Sequence, residues 1–274
     1  MLNDITLGQF FPVNSPVHKL DPRVKIMSSL AYIIAVFFAK GFAGYLFVAV
    51  FTYSVILMSK VPLKLYLKGL KPLIFIIIFT SAINLFMTDG KIAQIGGIPL
   101  KFGIFKITVE GIDTAVKMTL RLIFLVAGTS VLTFTTSPIV LTDGIESLLS
   151  PFKKIGVPAH ELAMMMSIAI RFIPTLLEET DKIMKAQSAR GADFENGSVI
   201  KRIKALVPIL VPLFISSFRR ADELALAMEC RCYRGGKGRT RLKTLKIAPI
   251  DYIACAFMLV FIVGIGAIAL FVRV

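Results

Sequence analysis

Histidine and cysteine are scarce in this 274-residue sequence, and its 17 acidic residues are outnumbered by 32 lysines and arginines. The only histidines, His18 and His160, stand far apart, which leaves a zinc site little to build from. The three cysteines, Cys230, Cys232 and Cys255, do not make a secreted disulfide framework. Cys230 and Cys232 lie too close together in a helix for an ordinary disulfide. No metal, cofactor-binding or catalytic residue set is expected. A Walker A loop is also missing. The nearest stretch, Gly235-Gly236-Lys237-Gly238, lacks the spacing and the Ser or Thr that cradle a nucleotide phosphate. ATP-driven work would therefore need another subunit to supply the ATPase. The first 25 residues are polar and proline-bearing, without an apolar core and a small-residue cleavage site, so no cleavable signal peptide is expected.

What the sequence has in abundance is apolarity. Hydrophobic residues make up 56% of it and the mean hydropathy is +0.78, whereas a soluble domain is roughly 45–50% apolar even with glycine counted. The net charge is nevertheless +15. Apolar spans in lipid with basic loops at one surface reconcile the two. Nucleic-acid binding is the other use of basic charge, but the long apolar runs leave too little soluble body to carry it. The expected class is an all-α integral protein of the inner or plasma membrane.

Five apolar runs are expected to span: Ile26–Ala39, Phe42–Met58, Pro72–Met87, Ile112–Thr135 and Ile247–Val272. The first and third are shorter than the roughly 20 residues a bilayer needs and must borrow flanking residues. Lys19, Arg23 and Lys25 before the first run, and Lys60, Lys64, Lys68 and Lys71 after the second, place the N-terminus and that connection in the cytoplasm. The turn at Lys40-Gly41 and the connection from Asp89 to Thr108 are then outside. Ser137–Lys246 is inside, with about 18 of the lysines and arginines. This divides the chain into a transmembrane part (1–136), a cytoplasmic region (137–246) and a last span (247–274).

The cytoplasmic region reads as helices. Asp143 and Glu146 have capping-box spacing, which predicts a short helix from Thr142 to Leu149. A second opens at Pro158 and repeats apolar residues at helical intervals through Ile183; a third runs from Val199 to about Tyr233. Two more spans are the rival reading. Against it, Arg171 sits inside the apolar middle of the second helix, at a cost of at least about 2.5–3.5 kcal/mol at mid-bilayer. The apolar middle of the third, Ala205–Phe218, is short and bounded by Lys201, Arg202 and Lys204 before and Arg219 and Arg220 after. Pro174, Pro208 and Pro212 would bend both helices. Two long amphipathic helices at the cytoplasmic face fit better.

These two helices end alike, in Ala189-Arg190-Gly191 and Cys230-Arg231-Cys232, the latter followed by Gly235. An arginine in a last turn complements the helix dipole, and glycine ends a helix in the left-handed conformation. A pair of such ends also offers two planar forks able to enter a groove and meet a carboxylate.

Along nearly its whole length the sequence resembles the T component of energy-coupling factor transporters. Ser15-Pro16-Val17-His18-Lys19-Leu20-Asp21-Pro22-Arg23, Leu132-Thr133-Phe134-Thr135-Thr136, Gly156-Val157-Pro158 and Arg171-Phe172-Ile173-Pro174 carry the likeness. Most specific are Ala189-Arg190-Gly191 and Ala227-Met228-Glu229-Cys230-Arg231-Cys232-Tyr233. The resemblance implies a non-catalytic scaffold for vitamin or other micronutrient uptake. Its long coupling helices would bind a membrane-embedded substrate-binding S component. Arg190 and Arg231, with their flanking small residues, would dock two ABC-type ATPases. The family's second motif is usually Ala-Arg followed by a small residue, and here it is Cys-Arg-Cys. Two rivals fit less well. Glu178-Glu179 resembles the paired glutamates of CAAX-type intramembrane proteases, but the residue four beyond Glu178 is Lys182 rather than arginine and His160 is the only nearby histidine. A solvated acidic patch balancing Lys182 and Lys185 explains the pair. A permease with its own substrate pathway would place more charge in the spans than Arg121.

Overall fold

The computed structural model describes residues 9–88, 94–95, 98–99, 101–102, 105–106, 108–192, 194, 198–235 and 245–271. Gly236-Lys237-Gly238 and most of the glycine-rich connection after Met87 lie outside them. The order is α1 (Pro22–Phe38), α2 (Gly41–Ser59), α3 (Leu63–Leu70), α4 (Ile74–Met87), α5 (Val109–Thr135), α6 (Pro138–Leu149), α7 (Ala159–Ala189), α8 (Val199–Cys230) and α9 (Pro249–Phe271). Two antiparallel pairs of two-residue strands lie between α4 and α5. The all-helical membrane class expected from composition is what forms.

Among the described residues, five helical segments are long and apolar enough to cross a membrane: Gly41–Ser59, Leu63–Met87, Val109–Thr135, Ala159–Ala189 and Pro249–Phe271. Their number equals the expected one, but two members differ. With 17 residues α1 reaches only about 26 Å, whereas α7 qualifies by length and composition. The third run is also longer than its apolar core. A single 3₁₀ turn, Lys71–Leu73, joins α3 to α4, so Lys64, Lys68 and Lys71 belong to the helical segment rather than to a loop.

The chain divides into two compact units. In the unit formed by Gly8–Ser137 and Leu245–Val274, α5 packs against α1, α2, α3 and α4, and α9 packs against α1 and α2. Stacked rings form the core. Phe51 and Phe261 lie 3.8 Å apart between centroids, with Phe47, Tyr32 and Phe257 around them. The Tyr32 hydroxyl donates to the Phe124 carbonyl at 2.9 Å and shares a 2.8 Å hydrogen bond with Thr52, tying α1 to α2 and α5. Gly128 permits this. A Cβ there would lie 2.1 Å from the Tyr32 ring. Among the described residues Arg121 has no acidic partner; its guanidinium lies over the Phe37 ring, 5.4 Å from the centroid.

The segment before α1 is locked by polar bonds. Asp21 caps α1 by accepting from the Arg23 amide at 2.9 Å, ahead of Pro22 in the first turn. The Asp21 amide donates to Asp251 of α9 at 2.7 Å, and the other Asp251 oxygen accepts from the Ala248 amide at 2.7 Å. Lys25, expected as a free cytoplasmic charge, is buried. It donates to the His18 carbonyl, the Thr135 carbonyl and the Thr136 hydroxyl at 3.1, 2.9 and 3.3 Å. His18 is held between Ser15 and the Phe11 carbonyl. Two of the recognition motifs, Ser15–Arg23 and Leu132–Thr136, thus meet in one joint.

In the unit holding Pro138–Thr244, α6 packs on α7, which packs on α8. The helix expected to start at Thr142 begins four residues earlier, at Pro138. The Thr142 hydroxyl bonds back to the Ile139 carbonyl at 2.7 Å, inside the helix rather than at its cap. Glu146, instead of closing a capping box, meets His160 Nδ1 at 3.0 Å and fastens α6 to α7. Both α7 and α8 continue through their prolines.

Replacing Asp251 with alanine strands two buried amides and is expected to cost about 2–3 kcal/mol. A fall in the thermal midpoint of the detergent-purified protein would record it, and Asp251→Asn, which keeps an acceptor, should fall less.

Candidate functional site

The two arginine motifs fold into the same cap. At the end of α7 the Gly191 amide donates to the Ser188 carbonyl at 2.9 Å and the Ala192 amide to the Gln187 carbonyl at 3.0 Å. At the end of α8 the Cys232 amide donates to the Glu229 carbonyl at 2.8 Å and the Tyr233 amide to the Met228 carbonyl at 3.0 Å. This is the Schellman arrangement twice over, with one bond spanning six residues and one spanning four. Arg190 and Arg231 hold the same place in it, at the last half-helical residue, and both are exposed. Ala189, Gly191, Cys230 and Cys232 are exposed beside them.

The next residue must be left-handed for the cap to close. Gly191 meets that need with φ +87°. In the second cap the position falls to Cys232, at φ +55°, and not to the glycine expected to end this helix; Gly235 is left-handed three residues later. A side chain in this conformation costs roughly 1–2 kcal/mol. The cap survives because its two hydrogen bonds and the helix behind it hold Cys232 in place.

The two helices run antiparallel. Gln187 of α7 donates to the Pro208 carbonyl of α8 at 3.5 Å. Glu179, two turns earlier on α7, meets Ser216 and Arg220, which lie later on α8. The arginine ends therefore lie at opposite ends of the pair. Glu179 spends both oxygens on α8: the Ser216 hydroxyl donates to Oε1 at 2.8 Å and Arg220 bonds Oε2. Lys185 pairs with Asp181 at 2.6 Å. The acidic patch is thus a cross-helix tie plus an in-helix pair: Lys182 does act on Glu179, as expected, while Lys185 pairs with Asp181 instead. Sequence reading missed this tie because it links residues about 40 apart. The signal was present, however. Eleven residues separate Glu179 from Arg190, and eleven separate Arg220 from Arg231.

Away from the tie, α8 shows an apolar stripe. Ile203, Val207, Leu210, Phe214 and Phe218 recur every three or four residues and all are at least half exposed. Among the described residues no three His, Cys, Asp or Glu side chains are grouped to hold a metal ion. Cys232→Gly is expected to stabilise the protein by up to about 1 kcal/mol through relief of the left-handed backbone. Gly191→Ala should destabilise it by a similar amount, and thermal unfolding in detergent would read both changes.

Residues 13–242 match the family described as cobalt transport protein. Three similar proteins are each named energy-coupling factor transporter transmembrane protein EcfT. The protein of Clostridium kluyveri is 59% identical over 95% of this chain and 96% of its own length. That of Thermosediminibacter oceani is 54% identical over 97% and 98%. The Bacillus subtilis protein is 47% identical over 89% and 91%. With helices of membrane-spanning length, two arginine-tipped helices and this likeness along nearly its whole length, the chain belongs to the family of transmembrane components of energy-coupling factor transporters.

Proposed function

We propose that the chain is the coupling scaffold of a vitamin or other micronutrient uptake system. It takes up the motion of two ABC-type ATPases through Arg190 and Arg231 and passes it to a membrane-embedded substrate-binding S component. The observation that carries this reading is the repeated cap. Two unrelated stretches of sequence build the same backbone geometry around an exposed arginine, at opposite ends of an antiparallel pair. One arginine at a helix end is explained by the dipole. Two in the same cap, facing away from each other, suit two separate grooves lined with carboxylates.

The apolar stripe of α8 supports the second contact. An apolar face on a helix flanked by lysines and arginines suits the bilayer boundary and a membrane-embedded partner. Ionisable groups within the membrane unit support a scaffold over a permease with its own pathway. Lys25 and Asp251 have their hydrogen-bonding capacity met by backbone and threonine groups, and Arg121 lies over an aromatic ring. On this reading the chain contributes no ATP site, hydrolysis belongs to the partners, and residues 137–246 lie in the cytoplasm with the N-terminus.

Arg190→Glu combined with Arg231→Glu is expected to release the ATPases on purification in mild detergent and to abolish uptake while membrane insertion persists. Retained ATPases and uptake would remove the docking role. A single cysteine at Lys185, which is well exposed, in a protein freed of its three native cysteines should react with an impermeant maleimide only from the cytoplasmic side. Labelling of intact cells from outside would invert the assigned topology.

A further inference from the structure

The tie between α7 and α8 has a position that the need for stability does not explain. A helix rises 1.5 Å per residue and turns once every 3.6, so eleven residues make almost three whole turns, about 16 Å. Glu179 therefore lies on the same face of α7 as Arg190, and Arg220 on the same face of α8 as Arg231. Because the helices are antiparallel, the two 16 Å arms point in opposite directions. The tie sits at the midpoint between the two arginine ends.

Its chemistry suits a fixed point. Glu179 accepts a hydroxyl bond on one oxygen and a charge-assisted bond on the other, so its carboxylate cannot turn without losing one. The charged pair is partly exposed, with 25% of the Glu179 side chain and 36% of the Arg220 side chain accessible. Such a pair contributes little to stability. The neighbouring Gln187 contact, at 3.5 Å, is at the limit of a hydrogen bond.

We propose that Glu179, Ser216 and Arg220 are positioning residues that act as the fulcrum of the coupling pair, keeping Arg190 and Arg231 in a fixed relation so that motion at either end is transmitted rather than absorbed. This rests on the docking reading above, and it adds a site that touches neither partner.

The test uses the complete transporter in liposomes: this chain, its two ATPases and an S component for riboflavin. ATP hydrolysis and uptake of tritiated riboflavin are measured in the same vesicles. Glu179→Gln and Arg220→Gln should keep their ATPases and hydrolyse ATP, but carry roughly 1.5- to 5-fold less riboflavin per ATP, the range expected of a partly exposed charged pair. The exchanged pair, Glu179→Arg with Arg220→Glu, should recover most of that loss. Spin labels at the exposed positions Lys185 and Leu226 give a second reading. Their distance distribution should broaden in both single variants and narrow again in the exchanged pair. Unchanged uptake per ATP in both singles, an exchanged pair no better than the singles, loss of the ATPases from the singles, or an unaltered distance distribution would each overturn the fulcrum. Failure of the docking reading looks different: the ATPases would stay bound when Arg190 and Arg231 carry glutamate, whatever the Glu179 variants do.

Discussion

A protein interior offers a buried charge no water, so every ionisable group taken into it has to be met by protein groups. Lys25 illustrates the constraint. Its ammonium has three hydrogens, and each is directed at an oxygen: two backbone carbonyls and the Thr136 hydroxyl. Supplying those oxygens fixes the geometry of much that surrounds them. The carbonyl of Thr135 is available because α5 ends there, and that of His18 because the Ser15–Leu20 turn precedes α1. Asp251 then secures the same turn to the start of α9 by accepting from the Asp21 amide. Three chain segments distant in sequence converge to satisfy one charge and its acidic neighbours. Helix packing around the aromatic core follows from where these segments begin and end.

The pair α7 and α8 obeys a different rule. Its apolar residues are largely uncovered and its polar contacts are few, so its rigidity is concentrated in caps and in one carboxylate. The caps stiffen the helix ends by engaging the last free carbonyls, which holds each arginine's backbone in a single conformation. The carboxylate holds the middle. A helix is stiff along its length, so fixing three points on two helices determines the positions of the functional groups without a large buried core. The uncovered apolar face remains available for a partner, which a conventional helical bundle of this size would have consumed internally.

Much of this was legible in the sequence, and the limits have physical causes. Apolar runs gave the helical membrane class and four of the five helical segments of crossing length, because hydropathy is a local property; α7, read as an amphipathic helix at the cytoplasmic face, takes the place of the shorter α1 among them. The positions of α7 and α8 and their arginine ends followed from periodicity and glycine. Tertiary choices were less visible. Lys25 reads as a surface charge by composition, and only the meeting of α1 with the end of α5 buries it. Asp251 was unmarked, although an acid in the first turn of an apolar helix is a signal in its own right. The Asp143–Glu146 spacing was a true local pattern overruled by Pro138 upstream and by His160 across the helix pair. Cys232 was expected beside a docking arginine, but its left-handed backbone was not, since glycine normally takes that position.

The equal arms and matching caps have a consequence for symmetry. An antiparallel pair with the same ending at each extremity, each equally far from a central bond, possesses an approximate twofold axis through that bond. Subunits that associate as a pair are commonly related by just such an axis. Aligned on the two arginines, the stretches share few other residues, among them Asp181 with Asp222 and Ala186 with Ala227. A single asymmetric polypeptide can thus present two rotationally equivalent contacts to a pair of like subunits, with backbone hydrogen bonds rather than duplicated sequence supplying the equivalence.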